Sequence, residues 1–183
     1  MRITFWASLL LALFSLQVAQ ARDVEPHRND PALALPATNS WMPLEIRAPS
    51  GANYSVWVAR DASIPAGTRP DNIEFVAEIG KRAIVFIDSY PSSPGGMSYC
   101  QAGQERFLRV ASIVRKLAVE TFHVKVESCR NNIELASSGI EWLPESATLR
   151  IHWLQGPDGS GTPEVRNIHI GPSAIDAETV KPL

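Results

Sequence analysis

The stretch from Ala83 to Ile87 reads Ala-Ile-Val-Phe-Ile, an apolar run that ends at Asp88. Ile and Val are branched at the β-carbon, which favours extended backbone, and the run is too short for a typical helix. Because every position is apolar, both faces of the strand must be covered. The stretch therefore predicts a central strand of a sheet.

Other runs alternate between apolar and polar residues, which is the period of a half-buried strand. In one of them, Val56 and Val58 share a face while Trp57 points the other way. Runs of this kind predict strands over residues 44–47, 54–59, 73–79, 121–127, 147–153 and 165–170. Residues 107–119 fit neither period and predict one long strand or a short helix. The tail from Gly171 shows no period.

Turn-forming residues separate these runs. Gly, Pro, Ser and Asp dominate residues 156–163, which predicts a loop that joins two strands into a hairpin. A second long loop is predicted over residues 90–103, where Pro, Ser and Gly cluster. Short strands with regular turn signals predict a mainly β fold: a single antiparallel β-sandwich or barrel-like domain with at most one or two short helices.

The first 21 residues are typical of a secretory signal peptide. Arg2 precedes an uncharged apolar stretch at residues 5–16, which is too short to span a bilayer, and residues 19–21, Ala-Gln-Ala, fit a cleavage site. We therefore expect a mature chain that starts at Arg22, lies in the periplasm or outside the cell, and has no transmembrane segment. Residues 22–43 predict a Pro-rich extended arm, and residues 44–183 predict one β-rich domain.

The chain carries 17 Lys and Arg against 19 Asp and Glu, a formal net charge of −2. A nucleic-acid binder normally shows a basic excess or a basic stripe, whereas these basic residues are scattered singly along the sequence. We therefore expect no nucleic-acid partner. No cofactor motif and no metal-ligand spacing is present, so we expect neither a cofactor nor a bound metal.

Two cysteines, Cys100 and Cys129, lie in the predicted mature chain. An even number of cysteines in an exported protein predicts a disulfide, and two cysteines allow one pairing. Closing a loop of this length stabilises the fold by about 3 to 4 kcal/mol in the chain-entropy model. Between the cysteines we expect Glu105 to accept hydrogen bonds from backbone amides of a turn that the disulfide holds.

Catalytic patterns are weak in this sequence. Residues 96–100, Gly-Met-Ser-Tyr-Cys, resemble the start of a serine nucleophile elbow but lack its last glycine, and they do not follow the strand-to-helix pattern of that motif. We therefore predict no catalytic residue and a protein that is not an enzyme. A hydrolase remains a further alternative if distant residues such as His123, His152 and Glu127 converge in a cleft.

A small exported β domain without a recognisable active site is more often a binder, because its loops vary on a rigid frame. We expect an inhibitor or immunity protein that occludes an envelope-targeting toxin or hydrolase. The alternative is a carbohydrate- or peptidoglycan-binding module in which Trp57 or Trp142 stacks on a sugar ring. The candidate interaction residues are aromatic or acidic, since aromatic anchors and complementary charge are common in interfaces: Trp57, Tyr99, Trp142, Asp158 and Glu164.

Overall fold

The structure is a computed structural model that describes residues 40–92, 100, 103–114, 117–171 and 175–180. The predicted signal peptide and most of the predicted arm lie outside these residues. The described part is built from strands and one short 3-10 turn, in the order β1 Trp41–Arg47, β2 Asn53–Ala59, β3 Asn72–Ile79, β4 Ala83–Pro91, β5 Gln104–Val114, β6 Leu117–Ser128, β7 Glu134–Leu143, the turn Pro144–Ser146, β8 Thr148–Gln155, β9 Glu164–Ile170 and β10 Ile175–Val180.

The strands form two sheets, which confirms the mainly β sandwich or barrel-like fold. The large sheet has the order β1-β2-β6-β5-β4-β3, and the small sheet has the order β10-β9-β8-β7. Neighbouring strands are antiparallel except β2 and β6, which pair in parallel through Val56 with Ala118 and Trp57 with Val119. The hairpin predicted around residues 156–163 is the β8–β9 pair.

The large sheet curls into a half-barrel. Its two outermost strands, β1 and β3, contact each other, and the Tyr54 hydroxyl on β2 donates a 2.7 Å hydrogen bond to Glu78 on β3. The concave side encloses one apolar core, which we call the barrel core. Its buried side chains are Met42, Leu44, Ile46, Val56, Val58, Ile64, Ile84, Phe86, Tyr90, Phe107, Ala111 and Ala118.

The small sheet packs on the convex side of the large one and encloses a second core. Leu149, Ile151 and Trp153 from β8 are buried there against residues of the large sheet such as Val85 and Leu108. The indole N–H of Trp153 donates a 3.0 Å hydrogen bond to the Val126 carbonyl on β6, which ties the two sheets together. An apolar core with a satisfied indole is a stable way to bury tryptophan.

The strand β4 is buried along its whole apolar run because it faces both cores. Ile84 and Phe86 enter the barrel core, whereas Val85 and Ile87 pack between the sheets. This confirms the prediction of a central strand. The alternation predicted for β2 is confirmed as well, since Val56 and Val58 are fully buried inside the barrel.

Residues 107–119 are neither one strand nor a helix. They contain most of β5 and the start of β6, which pair as an antiparallel hairpin. Leu108 faces one core and Phe107 faces the other, so apolar residues occupy both faces and the alternation disappears. Burial on two sides, which the period alone cannot reveal, explains why this prediction was wrong.

Three further boundaries differ from the sequence expectation. Strand β1 begins at Trp41, so Trp41 to Pro43 belong to the sheet and not to the arm; Pro43 is tolerated because β1 is an edge strand. Strand β7 was not predicted because its register shifts between Leu135 and Ile140, where Gly139 has a φ of +56°. Strand β10, Ile175–Val180, was not predicted, although Ile175 and Ala177 alternate with Asp176 and Glu178 over this short stretch. No helix in the described part of the chain is long and apolar enough to cross a membrane.

Candidate functional site

Four connections meet at one end of the described fold. The pairs Pro91–Gln104, Glu105–Ser128 and Glu134–Gln155 place the ends of β4, β6 and β8 at the same edge of the two sheets. The connections that leave this edge are residues 60–71, 92–103, 129–133 and 156–163, and we call them together the loop end. Residues 93–99 and 101–102 of the second connection lie outside the described residues.

A disulfide joins the second and third connections. Cys100 and Cys129 are bonded, with their Cα atoms 5.7 Å apart, which confirms the predicted pairing. Gly103 lies directly against this bond, because a Cβ atom at that position would stand 2.6 Å from the Cys129 Cβ. Only glycine therefore fits beside the disulfide without a shift of the backbone.

The buried carboxylate of Glu105, at the start of β5, forms hydrogen bonds at the same two connections. It accepts hydrogen bonds from the Ser92 hydroxyl at 2.8 Å and the Ser128 hydroxyl at 2.6 Å. The backbone N–H of Arg130 donates to it at 3.4 Å. The expected role of Glu105 is thus confirmed in part: one backbone amide takes part, and two serine hydroxyls supply the shorter bonds.

Two cations extend this network to the first connection. Arg130 donates to the carbonyl oxygens of Ser63, at 2.8 Å, and of Ser92. The Lys125 Nζ atom donates to the Ser63 hydroxyl at 3.1 Å and lies 3.6 Å from the Asp61 carboxylate. Burial raises the pKa of Asp61, but hydrogen bonds from Ser63 and the charge of Lys125 outweigh it, so that this pKa lies below its usual value. Three of the four connections are therefore cross-linked by polar side chains.

The fourth connection carries one of the predicted acidic residues at its tip. Asp158 is exposed, and it accepts hydrogen bonds from the backbone N–H and the hydroxyl of Ser160 at 2.9 and 2.7 Å. These bonds lower the pKa of Asp158. The side chain is therefore an anion in a fixed turn, open to contact from outside.

Glu164 does not reach the surface as expected. It is buried, it forms an ion pair with Arg166, and its carboxylate lies where a side chain at Gly156 would stand. Its Oε2 atom has no hydrogen-bond partner among the described residues. The strand β9 turns this position towards the space between the sheets, where Ile168 is also buried, so the Glu164 carboxylate is not exposed at the surface as expected.

The aromatic candidates have three different outcomes. Trp142 is half-buried and packs with part of its ring against the core between the sheets. Trp57 is half-buried and points outward from the barrel, with Pro43 and Val119 as its cross-strand neighbours. Tyr99 lies outside the described residues.

The barrel core contains a cluster of charged groups that the sequence reasoning missed. Arg109, 1% exposed, donates from Nε to Asp88 at 2.7 Å and from Nη1 to Glu120. Nη1 also donates to the Ala59 carbonyl at 2.9 Å, and the Ala59 N–H donates to Glu120 at 3.2 Å. The hydroxyl of Tyr90 donates to Asp88 at 2.6 Å. The cluster thus provides hydrogen-bond partners for the N–H and the carbonyl of Ala59, which lies beyond the β2 residues that pair with β6.

Burial and charge act in opposite directions on this cluster. Burial raises the pKa of Asp88, and the charge of Arg109 offsets only part of that effect. Burial lowers the pKa of Arg109, but Asp88 and Glu120 outweigh it and raise that pKa above its usual value. Arg109 therefore stays cationic and compensates carboxylates that water does not reach, which is a structural role.

One partly exposed residue touches the cluster. His123, with a side chain 39% exposed, contacts the Glu120 carboxylate through Nδ1. Strict alternation would place residues 120 and 123 on opposite faces, but β6 contains a bulge at Thr121 that puts both on the concave face. The histidine is therefore the partly exposed member of an otherwise buried set of side chains.

The residues proposed for a hydrolase do not converge. His152 lies between the buried Ile151 and Trp153 and therefore faces outward from the small sheet. Glu127 pairs with Arg106 at 3.0 Å. His123, on the concave side of the large sheet, is separated from His152 by the core between the sheets. A cleft containing all three is absent, so that alternative is not supported.

No cluster of three or more potential metal ligands occurs among the residues that the structure describes. One signal for the charged cluster is visible in the sequence: Arg109 stands between Leu108 and Val110 inside an apolar run, where a charge needs buried partners. No such signal marks Arg130 and Lys125. Their partners lie in connections that are distant in the sequence, so the local pattern does not show these contacts. Among its described residues, the loop end combines a cross-linked polar network with an exposed acidic tip at Asp158.

Comparison of this chain with protein-family models, with curated proteins and with solved structures finds no match.

Proposed function

We propose that this protein is an exported, periplasmic or secreted, binding protein that contacts a protein partner through its loop end. In its concrete form, the protein occludes an envelope-targeting toxin or hydrolase. The observation that carries the proposal is the cross-linking of three connections by Glu105, Lys125, Arg130 and the disulfide. The disulfide is also compatible with an oxidising compartment.

Fixed loops favour binding for an entropic reason. A loop that is already ordered loses little conformational freedom when a partner docks, so more of the interaction energy appears as affinity. Arg130 and Lys125 hold residue Ser63 of the first connection, and Arg130 and Glu105 hold Ser92 of the second. Inhibitors that insert into a cleft rely on such preformed loops.

Asp158 suits a partner with a cationic cleft. It stands at the tip of the connection 156–163, and its lowered pKa keeps it negative into mildly acidic solution. Complementary charge speeds encounter and selects among partners more than it adds affinity. We therefore propose that Asp158 steers and orients the partner.

The proposal is tested with the mature protein, residues 22–183, as immobilised bait for an envelope extract, followed by mass spectrometry. We expect one protein in stoichiometric amount, loss of its capture with Asp158→Lys, and unchanged capture with Glu145→Lys, which alters an exposed acid in the turn Pro144–Ser146. The captured protein is then assayed for lytic or hydrolytic activity, which the mature protein should inhibit at equal molarity. A captured protein whose activity is unaffected contradicts the occlusion mechanism.

The same experiment separates this function from the alternative. Trp41 and Trp57 lie on the same outward face of β1 and β2, as diagonal neighbours within reach of one another. A sugar ring could stack on either. If the protein captures no partner, binds peptidoglycan, and loses this binding with Trp57→Ala, the function is that of a carbohydrate-binding module and not that of an inhibitor.

A further inference from the structure

Two of the large apolar side chains that are exposed among the described residues lie together, at the end of the fold opposite the loop end. Val114 ends β5 and is 47% exposed, and Leu117 begins β6 and is 51% exposed. They are a cross-strand pair, so both point to the same side of the hairpin tip. The third such residue, Leu154, 48% exposed, stands far away near the end of β8.

Exposed cations lie at the same end as this apolar pair. Lys81 and Arg82 form the turn between β3 and β4, and the Arg82 carbonyl accepts a 2.7 Å hydrogen bond from the Ile113 N–H at the hairpin. Arg47 ends β1, and the parallel pairing of β2 with β6 brings that end of the sheet to the hairpin. We call these five residues the hairpin end: Arg47, Lys81, Arg82, Val114 and Leu117.

The three cations have no charged or hydrogen-bonded side-chain partner within the described part of the chain, in contrast to Arg106, Arg109 and Arg166. Glu78 lies at this end as well, but its carboxylate accepts hydrogen bonds from the hydroxyls of Tyr54 and Ser50. The chain as a whole has a formal net charge of −2, and the exposed Glu145 of the turn Pro144–Ser146 also lies at this end of the fold, on the small sheet.

We propose that the hairpin end docks on an anionic lipid surface. The cations meet lipid phosphates, while Val114 and Leu117 enter the boundary between headgroups and acyl chains; peripheral membrane proteins combine these two contributions. An acidic protein or a nucleic acid would satisfy the cations but would leave the aliphatic pair against polar groups. A second copy of this face would bring like charges together.

This arrangement places the two ends of the fold at different heights above a membrane. Strand β6 runs from the hairpin end to the loop end over twelve residues, a span of roughly 35 Å. The loop end would then face away from the lipid and stay open to a partner. Lipid docking is nevertheless independent of the proposed partner, because it uses none of the loop-end residues.

The test is flotation of the mature protein with vesicles of phosphatidylcholine alone or mixed equally with phosphatidylglycerol. We expect binding to the mixed vesicles only, and weaker binding as salt is raised because salt screens the cations. Two double variants, Lys81→Glu with Arg82→Glu and Val114→Ser with Leu117→Ser, should each weaken binding by about tenfold or more. Leu154→Ser and Arg69→Glu change an equally exposed aliphatic and an exposed cation elsewhere, and they should bind as the unmodified protein does.

Circular dichroism of each variant shows whether the fold is intact, and sedimentation velocity reports the association state. Binding to neither vesicle, equal binding to both, or equal binding by hairpin-end variants and controls would overturn the proposal. A dimer that dissociates in the Val114→Ser and Leu117→Ser variant would instead assign this face to self-association. Asp158→Lys should leave flotation unchanged, so failure of the partner experiment and failure of lipid docking can be told apart.

Discussion

The Nε atom of Arg109 lies 2.7 Å from the Oδ1 atom of Asp88, and both side chains are buried inside the half-barrel. This pair, with Glu120, fills a part of the barrel core where apolar side chains would leave the backbone of Ala59 without partners. A buried ion pair adds little net stability, but removal of one member is costly because the other charge stays uncompensated. The stability of the barrel should therefore depend on Arg109 much more than on the exposed arginines.

Replacement of Arg109 by Met should lower the free energy of unfolding by about 3 to 5 kcal/mol, because two buried carboxylates lose their cation. Urea unfolding followed by tryptophan fluorescence measures the change. Arg106→Met is the matched control: its partners Glu74 and Glu127 are substantially exposed, so the loss should stay below about 1 kcal/mol. Equal losses of unfolding free energy in the two variants would contradict the prediction that stability depends more on the buried cluster than on the exposed ion pairs.

The same cluster predicts how stability responds to alkali. Burial, together with the nearby charge of Asp88, raises the pKa of Tyr90 above its ordinary value. A raised folded-state pKa contributes stability that is present below pH about 10, the value of an unfolded tyrosine, and that is lost as pH rises further. Tyr90→Phe should therefore be less stable than the unmodified protein at pH 7, and the gap should narrow above pH about 10. Urea titrations over this range measure the gap, and a constant gap would contradict the assignment.

Removal of the disulfide by Cys100→Ser with Cys129→Ser should lower the free energy of unfolding by about 3 to 4 kcal/mol, since the bond closes a loop across a sequence separation of 29 residues. Urea unfolding checks the value. The unmodified protein in reducing buffer serves as the control and should unfold at nearly the same urea concentration as the double variant. A loss below about 1 kcal/mol would mean that the loop is already ordered in the unfolded chain.

Arg130→Ala should loosen the loop end without unfolding the domain. The side chain is exposed, so global stability should change by less than about 1 kcal/mol, but Ser63 and Ser92 lose the donor that joins their connections. Hydrogen exchange measured by mass spectrometry should show faster exchange in residues 60–71 and around Ser92. Arg69→Ala removes another exposed arginine of the loop end, one without side-chain hydrogen bonds to described residues, and should leave exchange unchanged. Unchanged exchange in both variants would remove Arg130 from the proposed framework.

Most strands could be predicted because apolar and polar residues alternate along them in the sequence. In β2, Val56 and Val58 alternate with Trp57. In β4, the uninterrupted apolar run from Ala83 to Ile87 indicates that both faces of the strand are buried. The prediction failed where a strand contacts both cores and is apolar on both faces, and where a register shift interrupts the alternation. Residues 107–114 face both cores, and the irregular stretch from Leu135 to Ile140 in β7 has no constant face.

The sequence alone determined the compartment prediction, the cysteine pairing and the β class, because each depends on local composition or on a count of residues. Only the tertiary structure decided which side chains meet. It buried Glu164, which had been expected at the surface, it packed the half-buried Trp142 against the core between the sheets, and it joined Arg109 to Asp88 and Glu120. The physical reason is that burial and ion pairing depend on strand register, on bulges such as the one at Thr121 and on sheet curl, and these are set by contacts between residues far apart in the chain.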